Sequence, residues 1–350
     1  MIKIQNLHKK LDNFQLKNIN FEKEKGIITI LGSSGSGKST LLDIIAGFTK
    51  ADEGKIYLYN QDITHLEPNL RNISYCPQNL YLFPHLTVKE NILIPQKFGQ
   101  DICSNLQELL EKFELKEHLE KNIFQLSQGQ KQRVSLLRAI IPKTRLILLD
   151  EPSSSLQLSF KIKLWEIIKN IQKERNIPLI ITTHDPTEAM YLSDHLIIIE
   201  NGEIIDQGNP KELFFYPSSL KAVKYWGIKN IFKAKLEKIE DKQLLFSYNN
   251  TKIIINKNQT LKIKKIQTNK PYLIGFREEL AQIVNNYPNT NLLEIQVTNS
   301  LFLGHQYLIE GKIKNTDKNV FLKVDSQKIT SLSTNINVYI DPNNWFIIDY

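Results

Sequence analysis

Apolar and polar residues alternate over 2–8 (Ile2, Ile4, Leu7) and over 14–21 (Phe14, Leu16, Ile19, Phe21), which predicts two strands, antiparallel to each other. The next run, Ile27–Leu31, is apolar and rich in β-branched residues, and is predicted as a strand. Helical spacing follows at Leu41, Leu42, Ile44 and Ile45. Short strands are predicted at Gly54–Asn60 and Ile73–Gln78, the second cut by Pro77. Thr87, with Glu90 three residues on, predicts a helix start. Residues 102–119 read as helix, with Leu106, Leu109, Leu110 and Phe113 on one face. A further helix opens at Ser127–Gln130 and continues through Val134, Leu136, Leu137, Ala139 and Ile140. Leu146–Leu149 and Leu179–Thr183 are predicted strands, and Phe160–Arg175 and Thr187–Leu192 helices. Leu196–Ile199 and Ile204-Ile205 form a hairpin around Asn201-Gly202. Strands alternating with helices in this order predict an α/β core with a parallel sheet.

The pattern changes near Tyr225–Asn230. Beyond it come short alternating strands and turns: 232–239, 244–248, 252–255, 272–276, 293–297, 306–312, 320–324, 338–340 and 345–349. These predict an all-β second domain of the small-barrel kind. The domains are therefore set at 1–228 and 229–350, with a mainly helical region at 80–143. In the second, Phe232, Phe276, Phe302 and Tyr307 read as core.

At 350 residues the chain has room for about two domains. Two cysteines, Cys76 and Cys103, make neither a disulfide framework nor a metal-like spacing, and fit a reducing compartment. The first residues lack a signal-peptide layout, and no apolar run approaches the ~20 residues that span a bilayer. The net charge of +8 raises nucleic-acid binding. Acidic residues are mixed among the lysines, and no basic stripe is interleaved with aromatics, so that reading is set aside. A mildly basic surface also suits the anionic inner face of a membrane.

The candidate chemistry starts at Gly32-Ser33-Ser34-Gly35-Ser36-Gly37-Lys38-Ser39-Thr40, between the Ile27–Leu31 strand and the helical run after it. Strand, G-x-x-x-x-G-K-S loop and helix make a phosphate-binding P-loop. Gly32, Gly35 and Gly37 let backbone N–H groups approach an anion, and the helix N-terminus adds partial positive charge. Lys38 is placed for the β- and γ-phosphates and the Ser39 hydroxyl for Mg²⁺. Asp150 and Glu151 end an apolar strand; one carboxylate can face that Mg²⁺, and the other can act as general base on water.

Leu126-Ser127-Gln128-Gly129-Gln130, before a helix, resembles the Leu-Ser-Gly-Gly-Gln signature of the ATP-binding cassette (ABC) ATPases. Gln78 resembles the family's Q-loop glutamine and Ser154-Ser155-Leu156-Gln157 its D-loop. Asp150 and Glu151 resemble the Walker B aspartate and catalytic glutamate, and His184, after Ile-Thr-Thr, the switch histidine. The resemblance covers about 1–228. It implies an α/β P-loop NTPase with a helical subdomain. It also implies ATP held by residues 32–40 and Gln78, and Mg²⁺ held by Ser39, Gln78 and Asp150. Glu151 and His184 would be catalytic. Two chains would sandwich two ATP, with Ser127, Gln128, Gly129 and Gln130 meeting the nucleotide on the other chain's P-loop.

Three positions depart from the family. Gln128 replaces a glycine, Gln157 replaces the D-loop aspartate, and Leu11 stands where a base-stacking ring is expected, with Phe14 the nearest ring. Tyr272–Glu279, Leu303-Gly304 and Tyr339–Pro342 resemble the OB-like (TOBE-like) regulatory domain appended to importer ATPases. The resemblance thus implies a peripheral protein on the cytoplasmic face of the membrane. Its partners would be integral permease subunits, contacted through Tyr81–Leu86, and an extracytoplasmic solute-binding protein. Residues 7–16 are most similar to molybdate, tungstate and sulfate importers, with ferric-iron and polyamine importers next. A soluble non-transport ABC ATPase and a regulator without turnover are the alternatives in other classes.

Overall fold

A computed structural model describes residues 1–249, 251–257, 266–284, 290–328 and 333–349. The chain divides into two compact units, Met1–Pro210 and Lys211–Tyr350.

In the first unit, β1 (Ile2–Leu11) and β2 (Phe14–Lys23) pair antiparallel as the alternation predicts. With β4 (Glu53–Leu58) and β5 (Gln61–Asp62) they form a four-stranded sheet of order β2-β1-β4-β5. The second sheet contains β3 (Gly26–Leu31), β6 (Ile73–Cys76), β7 (Leu146–Asp150), β8 (Pro178–Thr183), β9 (His195–Glu200) and β10 (Glu203–Gly208). Its order is β10-β9-β3-β8-β7-β6, parallel except for the β9–β10 hairpin. Every residue of β3, β7 and β8 is buried, which explains their unbroken apolar runs. The hairpin turns through Asn201 and Gly202, both at positive φ, as its two-residue loop requires.

The helices of this unit are α1 (Lys38–Ala46), α2 (Val88–Ile92), α3 (Ile94–Lys97), α4 (Leu106–Lys112), α5 (Gln128–Ile140), α6 (Leu158–Arg175) and α7 (Pro186–Leu192). Thr87 and Glu90 form the expected reciprocal cap of α2. Residues 102–119 are helical over only seven residues plus a single 3-10 turn, Lys116–His118. The break falls at Glu114, at φ 55, because Phe113 and Leu115 on either side are both fully buried and draw the chain inward. Arg71, 4% exposed, closes the C-terminus of α1. Its guanidinium donates to the carbonyls of Ile44 (2.8 Å), Ile45 (2.9 Å), Thr64 (3.0 Å) and Leu66 (2.8 Å). Arg71→Ala removes this donor from all four carbonyls, of which Ile44 O keeps Gly47 N–H at 3.2 Å, so a loss of about 3 kcal/mol or more in urea unfolding is expected. An unchanged midpoint would show that water replaces the guanidinium.

The second unit opens with α8 (Pro210–Phe215), which starts at the division, and α9 (Leu220–Tyr225). The pattern change at 228/229 falls inside this unit: Val223 and Ile228 form one apolar cluster with Phe346 and Ile348. Two five-stranded antiparallel sheets follow. One contains β11 (Asn230–Ile239), β12 (Gln243–Tyr248), β13 (Thr251–Asn256), β14 (Pro271–Phe276) and β20 (Trp345–Ile348), in the order β13-β12-β11-β14-β20. The other contains β15 (Ala281–Ile283), β16 (Leu292–Phe302), β17 (Gln306–Ile313), β18 (Asn319–Asp325) and β19 (Asn335–Ile340), in the order β15-β19-β16-β17-β18. Their inward faces share one core. Phe232 and Phe276 lie in it, stacked at 5.8 Å. Phe302 does not: it is 54% exposed against Tyr307, because β16 and β17 run past the core to a turn at Gly304.

Candidate active site

The loop between β3 and α1 carries Gly32–Gly37. Gly37 is the residue before α1, at φ 103, a conformation that a side chain rarely permits. No side chain caps this helix end, so its first N–H groups point at the loop's concavity. Lys38 is 5% exposed; its Nζ donates to the carbonyls of Gly32 (2.9 Å) and Ser33 (3.0 Å) and lies 3.6 Å from Glu151 Oε1. Ser36 Oγ is buried without a hydrogen-bond partner. Unsatisfied donors, a cation and an orphaned hydroxyl around one loop constitute an anion cradle.

Opposite the loop stand Asp150 at the end of β7 and Glu151 just beyond it. Asp150 is 1% exposed and accepts from the Thr182 hydroxyl of β8. Glu151 sits at φ 47, held on β8 by its N–H, which donates to Thr182 Oγ1 (3.0 Å) and Thr182 O (3.1 Å). Its Oε2 is 3.1 Å from His184 Nδ1. The His184 turn is fastened by Glu188: its Oε2 accepts from Thr183 Oγ1 (2.6 Å) and its Oε1 from Trp165 Nε1 (2.9 Å). Thr183 Oγ1 in turn accepts from Asp185 N–H at 3.0 Å. Glu188 stands in the family-like stretch Asp185–Ala189 after His184, but the sequence assigns it no role, and the apolar spacing of α6 counts Trp165 only as core.

Ser39, Gln78 and Asp150 line a cleft of about 870 Å³. Tyr81, Phe83, Ile94, Pro95 and Phe98 line the same cleft, and Tyr81 and Phe98 are largely exposed. Tyr75 donates to Asp43 at 3.0 Å. Burial pushes the Asp43 carboxyl up, and the neighbouring Asp150 charge adds to that. Among the described residues no group of three or more His, Cys, Asp or Glu is placed to hold a metal. One hydroxyl, one amide oxygen and one carboxylate still suit Mg²⁺, which takes oxygen ligands and fills the remainder with phosphate oxygens and water.

Ser127–Gln130 do not line this cleft. Ser127 caps α5, accepting from Gln130 N–H at 3.3 Å, while Gln130 Oε1 accepts from Ser127 N–H at 2.9 Å. Gln130 Nε2 is 3.0 Å from His118 Nε2. Gln157 precedes α6 without capping it. Leu11, 40% exposed, adjoins the β1–β2 turn. Phe14 lies against the P-loop: a Cβ on Gly37 would come within 2.5 Å of its Cζ.

Residues 16–154 match the family model described as ABC transporter. Over 99% of its length the chain is 32% identical to the spermidine/putrescine import ATP-binding protein PotA of Thermotoga maritima, spanning 98% of that protein. The chain belongs to the ABC importer ATPase family. A second relative of this importer ATPase, the spermidine/putrescine import ATP-binding protein PotA of Fusobacterium nucleatum, is 34% identical over 91% of the chain and 86% of its own length. An ATP-binding cassette solved as a dimer in a post-hydrolysis state, bound to ADP and Pi, has a TM-score of 0.55 at 30% identity, over 60% of this chain and 99% of that one. Another cassette, in its ADP conformation, has a TM-score of 0.53 at 27% identity over 65% and 98%. The importer ATPase binds and hydrolyses ATP on a P-loop α/β fold followed by an all-β unit. Both relatives are named for polyamines, the alternative cargo in the sequence reading, and not for the oxyanions placed first.

Proposed function

We propose that the chain is the ATP-hydrolysing subunit of a polyamine importer, working as a homodimer at the cytoplasmic face of a membrane. Its partners are permease subunits and an extracytoplasmic solute-binding protein. The similarity to two polyamine-import ATPases over almost the whole chain carries this reading. Among the described residues no helix is long and apolar enough to cross a membrane, in keeping with a separate permease. The apolar lining of the cleft at Tyr81 and Phe83 is the surface offered to that partner.

In this reading residues 32–40 and Gln78 hold the nucleotide, with Lys38 on its terminal phosphates. Ser39, Gln78 and Asp150 hold Mg²⁺, which supplies charge that stabilises the phosphates. Glu151 takes a proton from water as the water oxygen bonds to the γ-phosphorus and the bond to ADP breaks. His184, 3.1 Å from Glu151, orients that carboxylate. Ser127–Gln130 meet the nucleotide of the other chain. The test is uptake into proteoliposomes holding the chain with its co-purified permease and a binding protein. Labelled spermidine or putrescine should enter in an ATP-dependent way, and molybdate and sulfate should not. The opposite pattern overturns the cargo and leaves the ATPase in place.

Base recognition is weak in this reading. Leu11 offers apolar contact without a ring face, and Phe14 is packed on Gly37. Phosphate contacts ignore the base, so Kd for ATP and GTP should agree within about threefold. Leu11→Tyr should tighten ATP by about tenfold, since base stacking contributes ~1–3 kcal/mol. If Leu11→Tyr gains nothing and Phe14→Ala loses about tenfold, Phe14 is the base contact.

A further inference from the structure

The first turn of α5 and the loop after Glu151 touch within one chain. A Cβ on Gly129 would meet Ser155 O at 3.5 Å and Leu156 Cδ2 at 3.8 Å. Further along α5, Gln132 is 3% exposed and turns its carboxamide into the same loop. Its Nε2 donates to Pro152 O at 3.1 Å and reaches Glu151 O at 3.5 Å, and its Oε1 accepts from Ser155 Oγ at 2.9 Å. A buried amide is costly unless paired, and here each of these bonds goes to residues 151–155. Glu151 occupies the left-handed region, which a glutamate holds only when its surroundings over-determine it. Thr182 fixes its N–H side, and Gln132 fixes the carbonyls that follow.

We propose that Gln132 is a positioning residue that ties the Ser127–Gln130 turn to the placement of Glu151 in the same chain. The inference rests on the sandwich-dimer reading above. There the Ser127–Gln130 turn meets the partner's nucleotide, while Glu151 serves the nucleotide on its own P-loop. A phosphate engaged at the turn shifts the first turns of α5. The carboxamide transmits that shift to the loop that sets Glu151. Each chain thereby carries the state of one nucleotide site to the other.

The experiment compares wild type, Gln132→Ala, Gln132→Glu and Ser155→Ala as full chains. Gln132→Glu keeps the acceptor for Ser155 and loses the donor to residues 151 and 152. Ser155 is exposed, so Ser155→Ala tests the link without a cavity in the core. Kd for ATP should stay within about twofold of wild type in all three, because none touches the P-loop. The kcat should fall by about tenfold or more in both Gln132 variants and about threefold in Ser155→Ala. The Hill coefficient for ATP should fall from about two toward one. Unchanged kcat and Hill coefficient, or a kcat loss with full cooperativity, overturns the proposal. So does a wild-type Hill coefficient near one. The dimer reading is tested separately, by size exclusion of Glu151→Gln with MgATP. A chain that stays monomeric sinks that reading; one that dimerises, with cooperative Gln132 variants, sinks this inference alone.

Discussion

Glu151→Gln is expected to lower kcat for ATP hydrolysis by about 10²–10⁴-fold, the usual contribution of a positioned general base. Nucleotide affinity should hold and the ATP-bound dimer should persist. The carboxylate is 9% exposed, with Oε2 3.1 Å from His184 Nδ1 and Oε1 3.6 Å from Lys38 Nζ. An amide of the same size can keep both approaches, because its oxygen can face Lys38 and its nitrogen the ring. What it cannot do is accept a proton from water. The backbone bonds from Glu151 N–H to Thr182 are untouched, so the left-handed turn survives. Steady-state turnover at saturating MgATP decides the matter: a rate within about threefold of wild type removes Glu151 from the role of base.

The P-loop and its neighbouring strands were legible in the sequence for a physical reason. A strand buried on both faces leaves no alternation, and β3, β7 and β8 are buried at every position. Gly32, Gly35 and Gly37 mark the loop that follows β3. The reciprocal cap at Thr87 was legible for a related reason, since Thr87 and Glu90 are a pair three residues apart on one turn. Long-range pairs were not. Arg71 closing α1 from 26 and 27 residues away, Glu188 bridging Thr183 and Trp165, and Gln132 reaching residues 151–155 leave no local pattern. In the second unit β15 has three residues, too few for alternation to register, and α8 and α9 have six each. Phe302 reads as core, but the core stops before its strand does.

Lys38→Ala should cost nucleotide affinity rather than turnover of whatever binds. A hydrogen bond to a charged group contributes ~1.5–3 kcal/mol, so Kd for ATP should rise by about 10- to 150-fold. A second effect runs beside the first. Lys38 Nζ lies 3.6 Å from Glu151 Oε1, with both side chains nearly buried. Without nucleotide, the lysine is therefore the near cation of the Glu151 carboxylate, and its removal leaves that charge poorly paired. Lys38→Ala should then lower the thermal midpoint of the nucleotide-free protein as well. The double variant Lys38→Ala/Glu151→Gln separates the two effects, because it removes the stranded charge without restoring the phosphate contact. Its midpoint should recover toward wild type while its ATP affinity stays as weak as that of Lys38→Ala. Calorimetry with ATP and a thermal scan of the four proteins measure both. If affinity recovers with the midpoint, Lys38 holds Glu151 and not the phosphates. If Lys38→Ala binds ATP as wild type does, the P-loop N–H groups carry the phosphate without it.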